Sequence, residues 1–344
     1  MRFRPLRSAA PSASEVVEVT APPPLMRGIV YDTPGGAEAL RVAELPVPKP
    51  ALSELLVRVV AAGINPIDAK TRAGRGLHGL VTDPTTSPLG FDFSGVVVAS
   101  PFEAHPLQPG DPVFGMVPFP RSGGSYADYV VVPSLSVARK PASLSHVEAA
   151  GVPVAALTAW GLVVETAHAH EGQRVLIHAG AGGVGHFAVQ LAAYFGAHVT
   201  ATGSERNLGW LRELGASVAI DYTTTRFEEV VGEVDVVIDL VGNVHADTGT
   251  RSLTVLRPGG LYVMVPTGAW DGYADAAAAA GVRATSYKTV PDGSALSTLG
   301  RLLDSGAVQV YIDRVFDLAD AADAHRELEL GHTRGKVVLS VADA

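Results

Sequence analysis

Apolar and polar positions follow two different rhythms along this chain. From Met26 to about Lys140, short apolar runs alternate with Pro/Gly turns; examples are Leu55 to Ala61, Ser94 to Ala99 and Tyr126 to Val132. Runs of that length predict strands in a compact, mostly β unit with barrel-like character. From about Ser145 the rhythm changes. His146 to Glu165 predicts a helix with Ser145 as N-cap and an interruption at Pro153. Strand-length runs then follow at Val175 to Ile177, His198 to Thr202, Val218 to Asp221, Val234 to Leu240 and Gly260 to Val265, with helical stretches between them. One of these stretches carries Leu208, Leu211 and Leu214, with Ser204 as predicted cap and Gly215 as terminator. Such alternation predicts a doubly wound parallel α/β sheet. Beyond Arg283 the pattern gives a strand, helices at Leu296 to Ser305 and Leu318 to Leu330, and a last strand, Lys336 to Val341. That last strand is expected to return to the β-rich unit. The expected domains are therefore residues 25–145 completed by 283–344, and residues 146–282.

Composition narrows the classes. At 344 residues, 47% of them hydrophobic and 18% charged, the chain can build two sizeable cores. No apolar run reaches a membrane span. A net charge of −9 without a basic stripe argues against nucleic acid. The absence of cysteine removes disulfides, a thiol nucleophile and thiolate zinc sites, and suits a cytoplasmic location. Residues 1–24, rich in Ala, Ser, Pro and Arg, show no folding period and read as a disordered extension.

The most specific segment is Arg174 to Gly196. Its strand runs into a turn in which Gly180, Gly182 and Gly185 satisfy G-x-G-x-x-G, and an apolar helix from Val184 to Phe195 follows. In this strand–turn–helix setting the motif binds a dinucleotide. The first glycine makes the tight turn, the second admits a pyrophosphate, and the third lets helix and strand pack closely. Gly183 and Val184 complete the cradle at the helix start. At the second strand's tip, Thr202-Gly-Ser-Glu-Arg-Asn207 places no acidic residue where ribose hydroxyls would be bound. Ser204 and Arg206 instead suit a 2′-phosphate, and Glu205 falls on the following helical turn. This reading favours NADPH over NADH.

Ala-Gly-Ala-Gly-Gly-Val-Gly with its Val-Gln-Leu-Ala helix resembles the medium-chain dehydrogenase/reductase superfamily, in its zinc-free quinone oxidoreductase branch. Gly63-Ile-Asn-Pro-Ile-Asp68, Gly90-Phe-Asp-Phe-Ser-Gly95, Gly110-Asp-Pro-Val-Phe-Gly115, Gly124-Ser-Tyr-Ala-Asp-Tyr129, Ala156-Leu-Thr-Ala-Trp160, Leu256-Arg-Pro-Gly-Gly260 and Gly335-Lys-Val-Val-Leu339 occur in matching order. The resemblance covers about residues 26 to 341. It implies a GroES-like catalytic domain, a Rossmann domain and a cleft for the nicotinamide. Zinc relatives carry Cys and His-Glu ligands where this chain has Ile64-Asn65 and Phe91-Asp92, so no metal is expected. His168 and His170 precede a turn and read as a solvated helix end.

What the resemblance implies for the site follows residue by residue. Asn207, Tyr222, Val241, Pro266 and Thr158 join the glycines, Ser204 and Arg206 as cofactor contacts. Two readings of Thr158 stand here: a contact to the nicotinamide end, or a hydroxyl bonded back to its own helix. Asn65 is either an amide that orients a carbonyl or ribose hydroxyl, or a turn-former before Pro66. Lys70 stands where many relatives carry Tyr, and either stabilises an enolate or is a surface lysine; His78 is a further candidate donor. The implied reaction is hydride transfer from NADPH to a quinone or an α,β-unsaturated carbonyl. An enoyl-thioester reductase of the same fold and a non-catalytic NADPH-binding protein are the alternatives. A homodimer through an edge strand near Val282 to Tyr287 is expected from the family.

Overall fold

The computed structural model describes residues 21–81, 83–119 and 124–342. The predicted extension therefore lies, through residue 20, outside the described residues. The β-rich unit is built around Glu54–Ile64, whose sequence ELLVRVVAAGI leaves only Arg58 partly exposed. A strand buried on both faces must sit centrally, and this one pairs antiparallel with Asp92–Ala99, Tyr129–Pro133 and Lys336–Ser340. Pro112–Met116 and Val137–Arg139 extend the sheet on one side. Ile312–Asp317 pairs parallel with Lys336–Ser340 on the other. The chain's last strand thus reaches back across the whole sequence, with Val337 opposite Ile64.

The second sheet holds six parallel strands in the order Val218–Asp221, His198–Gly203, Arg174–Ile177, Val234–Asp239, Leu256–Met264, Arg283–Ser286. The strand order reverses between Arg174–Ile177 and Val234–Asp239, the kind of position where parallel sheets bind ligands at the carboxyl ends of their strands. Helix Gly185–Tyr194 is buried over its first eight residues, which accounts for its nearly uniform apolar sequence.

Three sequence expectations change. Arg283–Ser286 pairs with Leu256–Met264, so the parallel sheet extends past the predicted boundary at residue 282. A lone strand with little apolar content gives no local signal of which sheet it joins. Ser204 does not cap the following helix. A 3₁₀ turn over Glu205–Asn207 comes first, and the Ser204 hydroxyl accepts from Asn207 Nδ2 at 3.2 Å. The stretch from His146 to Glu165 is three pieces: His146–Ala150, Pro153–Trp160 and a π-helical Gly161–Thr166. Tyr287 explains Gly161, since a Cβ there would lie 1.8 Å from its hydroxyl.

Candidate active site

The glycine turn leaves Arg174–Ile177 where the strand order reverses. Ala179 enters it at φ +50°, a strained value for a residue with a side chain. Its N–H and that of Gly180 are tied to the neighbouring strand through Thr202 Oγ1 and Thr202 O, at 3.2 and 2.9 Å. A Cβ on Gly185 would sit 2.2 Å from Ala179 O, and one on Gly180 would lie 3.0 Å from Ala201 Cβ. Gly185 is required by the protein's own packing, and at Gly180 a side chain would press on Ala201 and Leu211. Gly182 differs: its Cβ would meet only Ala179 O, at 3.3 Å. Space left open beside a glycine at this turn is what a pyrophosphate needs, so the turn fits a dinucleotide. His186 sits buried in the first helical turn and is held neutral, its pKa pushed down to about 4 mainly by burial. Its Nδ1 lies 3.0 Å from Gly182 O, and its Nε2 accepts from the Tyr311 N–H at 3.4 Å.

At the tip of His198–Gly203, Arg206 and Asn207 meet a residue that the sequence reading did not single out. Arg334, from the loop before the last strand, donates through Nε to Asn207 Oδ1 at 2.9 Å and through Nη2 to Arg206 O at 3.0 Å. Its guanidinium lies 5.1 Å from the Trp210 ring centroid and 5.7 Å from that of Tyr311. Arg206 in turn donates to His332 O. Tyr222 is exposed beside the tip, its N–H bonded to Gly203 O at 3.2 Å. Two guanidinium groups, Ser204 and Asn207 thus gather at one strand end, as recognition of a phosphate monoester requires.

On the far side of the cleft, Lys70 Nζ lies 3.5 Å from Thr267 O, next to Pro266. Lys70 belongs to the β-rich domain and Thr267 to the parallel-sheet domain, so this side chain spans the cleft. Burial, then Arg75, hold its ammonium below the usual lysine range. Val241 follows the adjacent strand end, its N–H bonded to Asp239 Oδ1 at 2.8 Å. Thr158 is buried and its hydroxyl donates to Val154 O at 2.6 Å, so its proton is committed to its own helix. His78 lies outside this group, bonded through Nδ1 to the Tyr31 hydroxyl at 2.9 Å.

Asn65 is 4% exposed, and its amide is spoken for on both sides. Nδ2 donates to Asp92 Oδ2 at 2.8 Å, while Oδ1 accepts from Lys336 Nζ at 2.5 Å. Lys336 also donates to Ile64 O at 2.7 Å, and Asp92 Oδ1 accepts from the Val154 N–H at 2.7 Å. Burial pushes the Asp92 carboxyl up; the Lys336 ammonium, the Asn65 amide and the Val154 N–H pull it back. Asp68, one turn into the helix that carries Lys70, accepts from Asn65 N–H and the Tyr126 hydroxyl at 2.7 and 3.0 Å. Burial raises it to about 7.

Comparison with known proteins places this arrangement. Residues 51–142 match the family described as "Alcohol dehydrogenase GroES-like domain", and residues 214–339 the family described as "Zinc-binding dehydrogenase". The chain is 34% identical to the chloroplastic NADPH-dependent alkenal/one oxidoreductase of Arabidopsis thaliana, over 98% of this chain and 86% of that protein. It is 36% identical to the 2-methylene-furan-3-one reductase of Solanum lycopersicum, over 97% of this chain and 85% of that one. The solved quinone oxidoreductase of Coxiella burnetii superposes with a TM-score of 0.87 at 37% identity, covering 92% of this chain and 100% of that chain. The chain belongs to the quinone/enone oxidoreductase-like branch of the medium-chain dehydrogenase/reductase superfamily.

One matching family has zinc in its description, yet this member of the branch presents a different donor set. Asn65 and Asp92, at the positions of zinc ligands in the resemblance, already direct their oxygens at the Lys336 ammonium. A divalent cation brought to the same oxygens would meet that positive charge. Among the described residues no group of three or more His, Asp or Glu side chains could hold a metal ion. The sequence reading passed over Lys336 and Arg334, although both lie in or beside the Gly335-Lys-Val-Val-Leu339 match that carried the resemblance.

Proposed function

We propose that this protein is an NADPH-dependent reductase that transfers hydride to a quinone or to the β-carbon of an α,β-unsaturated carbonyl. NADPH, when bound, supplies the hydride. The glycine turn from Gly180 to Gly185 holds the pyrophosphate, with Gly182 giving the close approach. Ser204, Arg206, Asn207 and Arg334 bind the 2′-phosphate, and Tyr222 covers the adenosine side. Thr158, Val241 and Pro266 border the nicotinamide end. The observation that carries the reading is Lys70, placed across the cleft against Thr267 O next to Pro266. A half-buried ammonium there stabilises the negative charge that develops on the acceptor oxygen as hydride arrives. Asn65 acts beside it with the remaining N–H of its amide, which orients the acceptor.

The names of similar proteins agree with this class: one is an NADPH-dependent alkenal/one oxidoreductase and another a quinone oxidoreductase. The reading includes a homodimer through Arg283–Ser286, the terminal strand of the six-stranded sheet, and a cytoplasmic location. Among the described residues no helix is long and apolar enough to cross a membrane.

The test is NADPH consumption with 9,10-phenanthrenequinone, an alkenal, an enone and crotonyl-CoA in parallel, repeated with NADH. Turnover with a quinone or an enone, and preference for NADPH, are expected. Turnover with crotonyl-CoA alone would move the assignment to an enoyl-thioester reductase. Tight NADPH binding without oxidation by any acceptor would leave a non-catalytic binding protein.

A further inference from the structure

We infer that Lys336 is a positioning residue for hydride transfer: it fixes which way the Asn65 amide faces. The inference rests on the reading above in which Asn65 orients the acceptor. An asparagine side chain has two ends of nearly equal size and opposite hydrogen-bonding sense, so its orientation is set by its neighbours. Here both neighbours speak. A lysine ammonium can only donate, so the end it meets at 2.5 Å is the oxygen. Asp92 Oδ2 accepts, so the end it meets at 2.8 Å is the nitrogen. One N–H of that nitrogen is left, and its direction is fixed with it.

The lysine is itself held without freedom. It is 3% exposed, and Ile64 O accepts from its ammonium at 2.7 Å. Its own N–H donates to Tyr311 O at 2.9 Å. Gly335, immediately before it, donates to Ala181 O in the glycine turn at 2.9 Å. Gly335 stands at φ +68°, and a Cβ there would lie 2.3 Å from Tyr311 O. The Lys336 stem also crosses the turn: a Cβ on Gly183 would lie 3.2 Å from its Cδ. A single side chain therefore touches the turn that receives the pyrophosphate and the amide on the substrate side. A buried ammonium that served only to neutralise Asp92 would lie nearest the carboxylate. It lies 3.5 Å from Asp92 Oδ2 and a full ångström closer to Asn65 Oδ1.

The decisive variant is the double substitution Lys336→Met with Asp92→Asn. It removes the Lys336 ammonium and the Asp92 carboxylate together, so neither is left facing the other's absence, and Asp68, the remaining buried carboxyl, is kept neutral by assaying below pH 7. It also reverses the amide's environment, because the new amide at position 92 can donate to Asn65 Oδ1 and turn it around. With an enone and NADPH at saturation, kcat is expected to fall at least about tenfold while KM for NADPH stays within about threefold. The primary isotope effect on kcat with 4-deuterated NADPH is expected to rise. Lys336→Gln is the second probe, because it keeps a donor at nearly the same reach. Its kcat is expected to exceed that of Lys336→Met severalfold or more.

Native kcat in the double variant, with Asn65→Ala slowed, would overturn the role of Lys336 and leave Asn65 standing. Equal kcat in Lys336→Gln and Lys336→Met would overturn it as well. Native kcat in Asn65→Ala would overturn the Asn65 reading, and the inference with it.

Discussion

At the scale of single residues, two lysines and two arginines carry separate proposed tasks. Lys70 meets Thr267 O only across 3.5 Å, a long and therefore weak hydrogen bond. An ammonium so loosely held costs little to redirect toward a substrate oxygen. We predict that Lys70→Met lowers kcat by about 100- to 1,000-fold with KM for NADPH little changed, the size expected for one lost oxyanion donor. Steady-state kinetics with a fixed enone checks it. Arg334→Ala should act on the cofactor instead. A charged hydrogen bond contributes about 1.5–3 kcal/mol, so KM for NADPH should rise about tenfold or more while NADH use is unaffected. Parallel loss with both cofactors would mean that Arg334 only supports the loop. Glycine spacing made the turn legible in the sequence, because Gly180 and Gly185 answer local packing and Gly182 keeps the turn open for a phosphate. Arg334 and Lys336 were not legible, because their partners Asn207 and Asn65 lie 127 and 271 residues away. Nothing local tells a lysine before a Val-Val-Leu strand that it will be buried.

At the scale of elements, the strand–turn–helix unit carries two kinds of glycine, and they should separate experimentally. Gly185→Ala places a methyl 2.2 Å from Ala179 O, a contact that only backbone movement relieves. Its melting temperature should drop clearly. Gly182→Ala meets Ala179 O at 3.3 Å, a contact relieved by a shift of a few tenths of an ångström, so it should lose less stability than Gly185→Ala yet bind NADPH at least about tenfold more weakly. Thermal melts and cofactor titration of the two variants check the pair. Strand and helix alternation in the parallel-sheet domain was readable because fully buried strands are continuous apolar runs. Arg283–Ser286 misled the boundary because it is short and only partly buried. The helix cap at Ser204 was misread for a related reason. A serine before Glu-Arg-Asn satisfies the capping pattern, but here Asn207 takes its oxygen.

At the scale of the whole molecule, the loop before the last strand is one of several links between the two domains, beside Val154 with Asp92 and Gln190 with Gln309. Residues His332 to Lys336 touch Arg206, Asn207, Ala181 and Asn65, so cofactor site and substrate side share a single strap. Buried ionisable groups spread over both domains set the stability profile. His178 and His186 are held near pKa 4 and His325 near 3, in each case first by burial. Their unfolded value is about 6.5, so the stability they contribute is complete above that pH and is lost as pH falls toward 4. Asp68 has the opposite sign: raised to about 7 from 3.8, it contributes stability at low pH that is lost as pH rises through 7. His146 is likewise held near 4 by burial, and the buried Asp92 carboxyl shares the sign of Asp68; the four histidines outnumber the two carboxyls, so melting temperature should fall between pH 6.5 and 4. Asp68→Asn, which copies the neutral carboxyl, should raise it at pH 8 and leave it unchanged near pH 4. Thermal melts across that range check both statements.

Hydride transfer itself remains the claim on which every role above depends. The most direct measurement is to supply NADPH deuterated at the transferable C4 position with an enone, and to locate the label in the product. One deuterium on the former β-carbon of a saturated ketone is expected, in stoichiometric amount with the NADPH oxidised. Bound NADPH that is never oxidised by enone or quinone, or a product without the label, would contradict it.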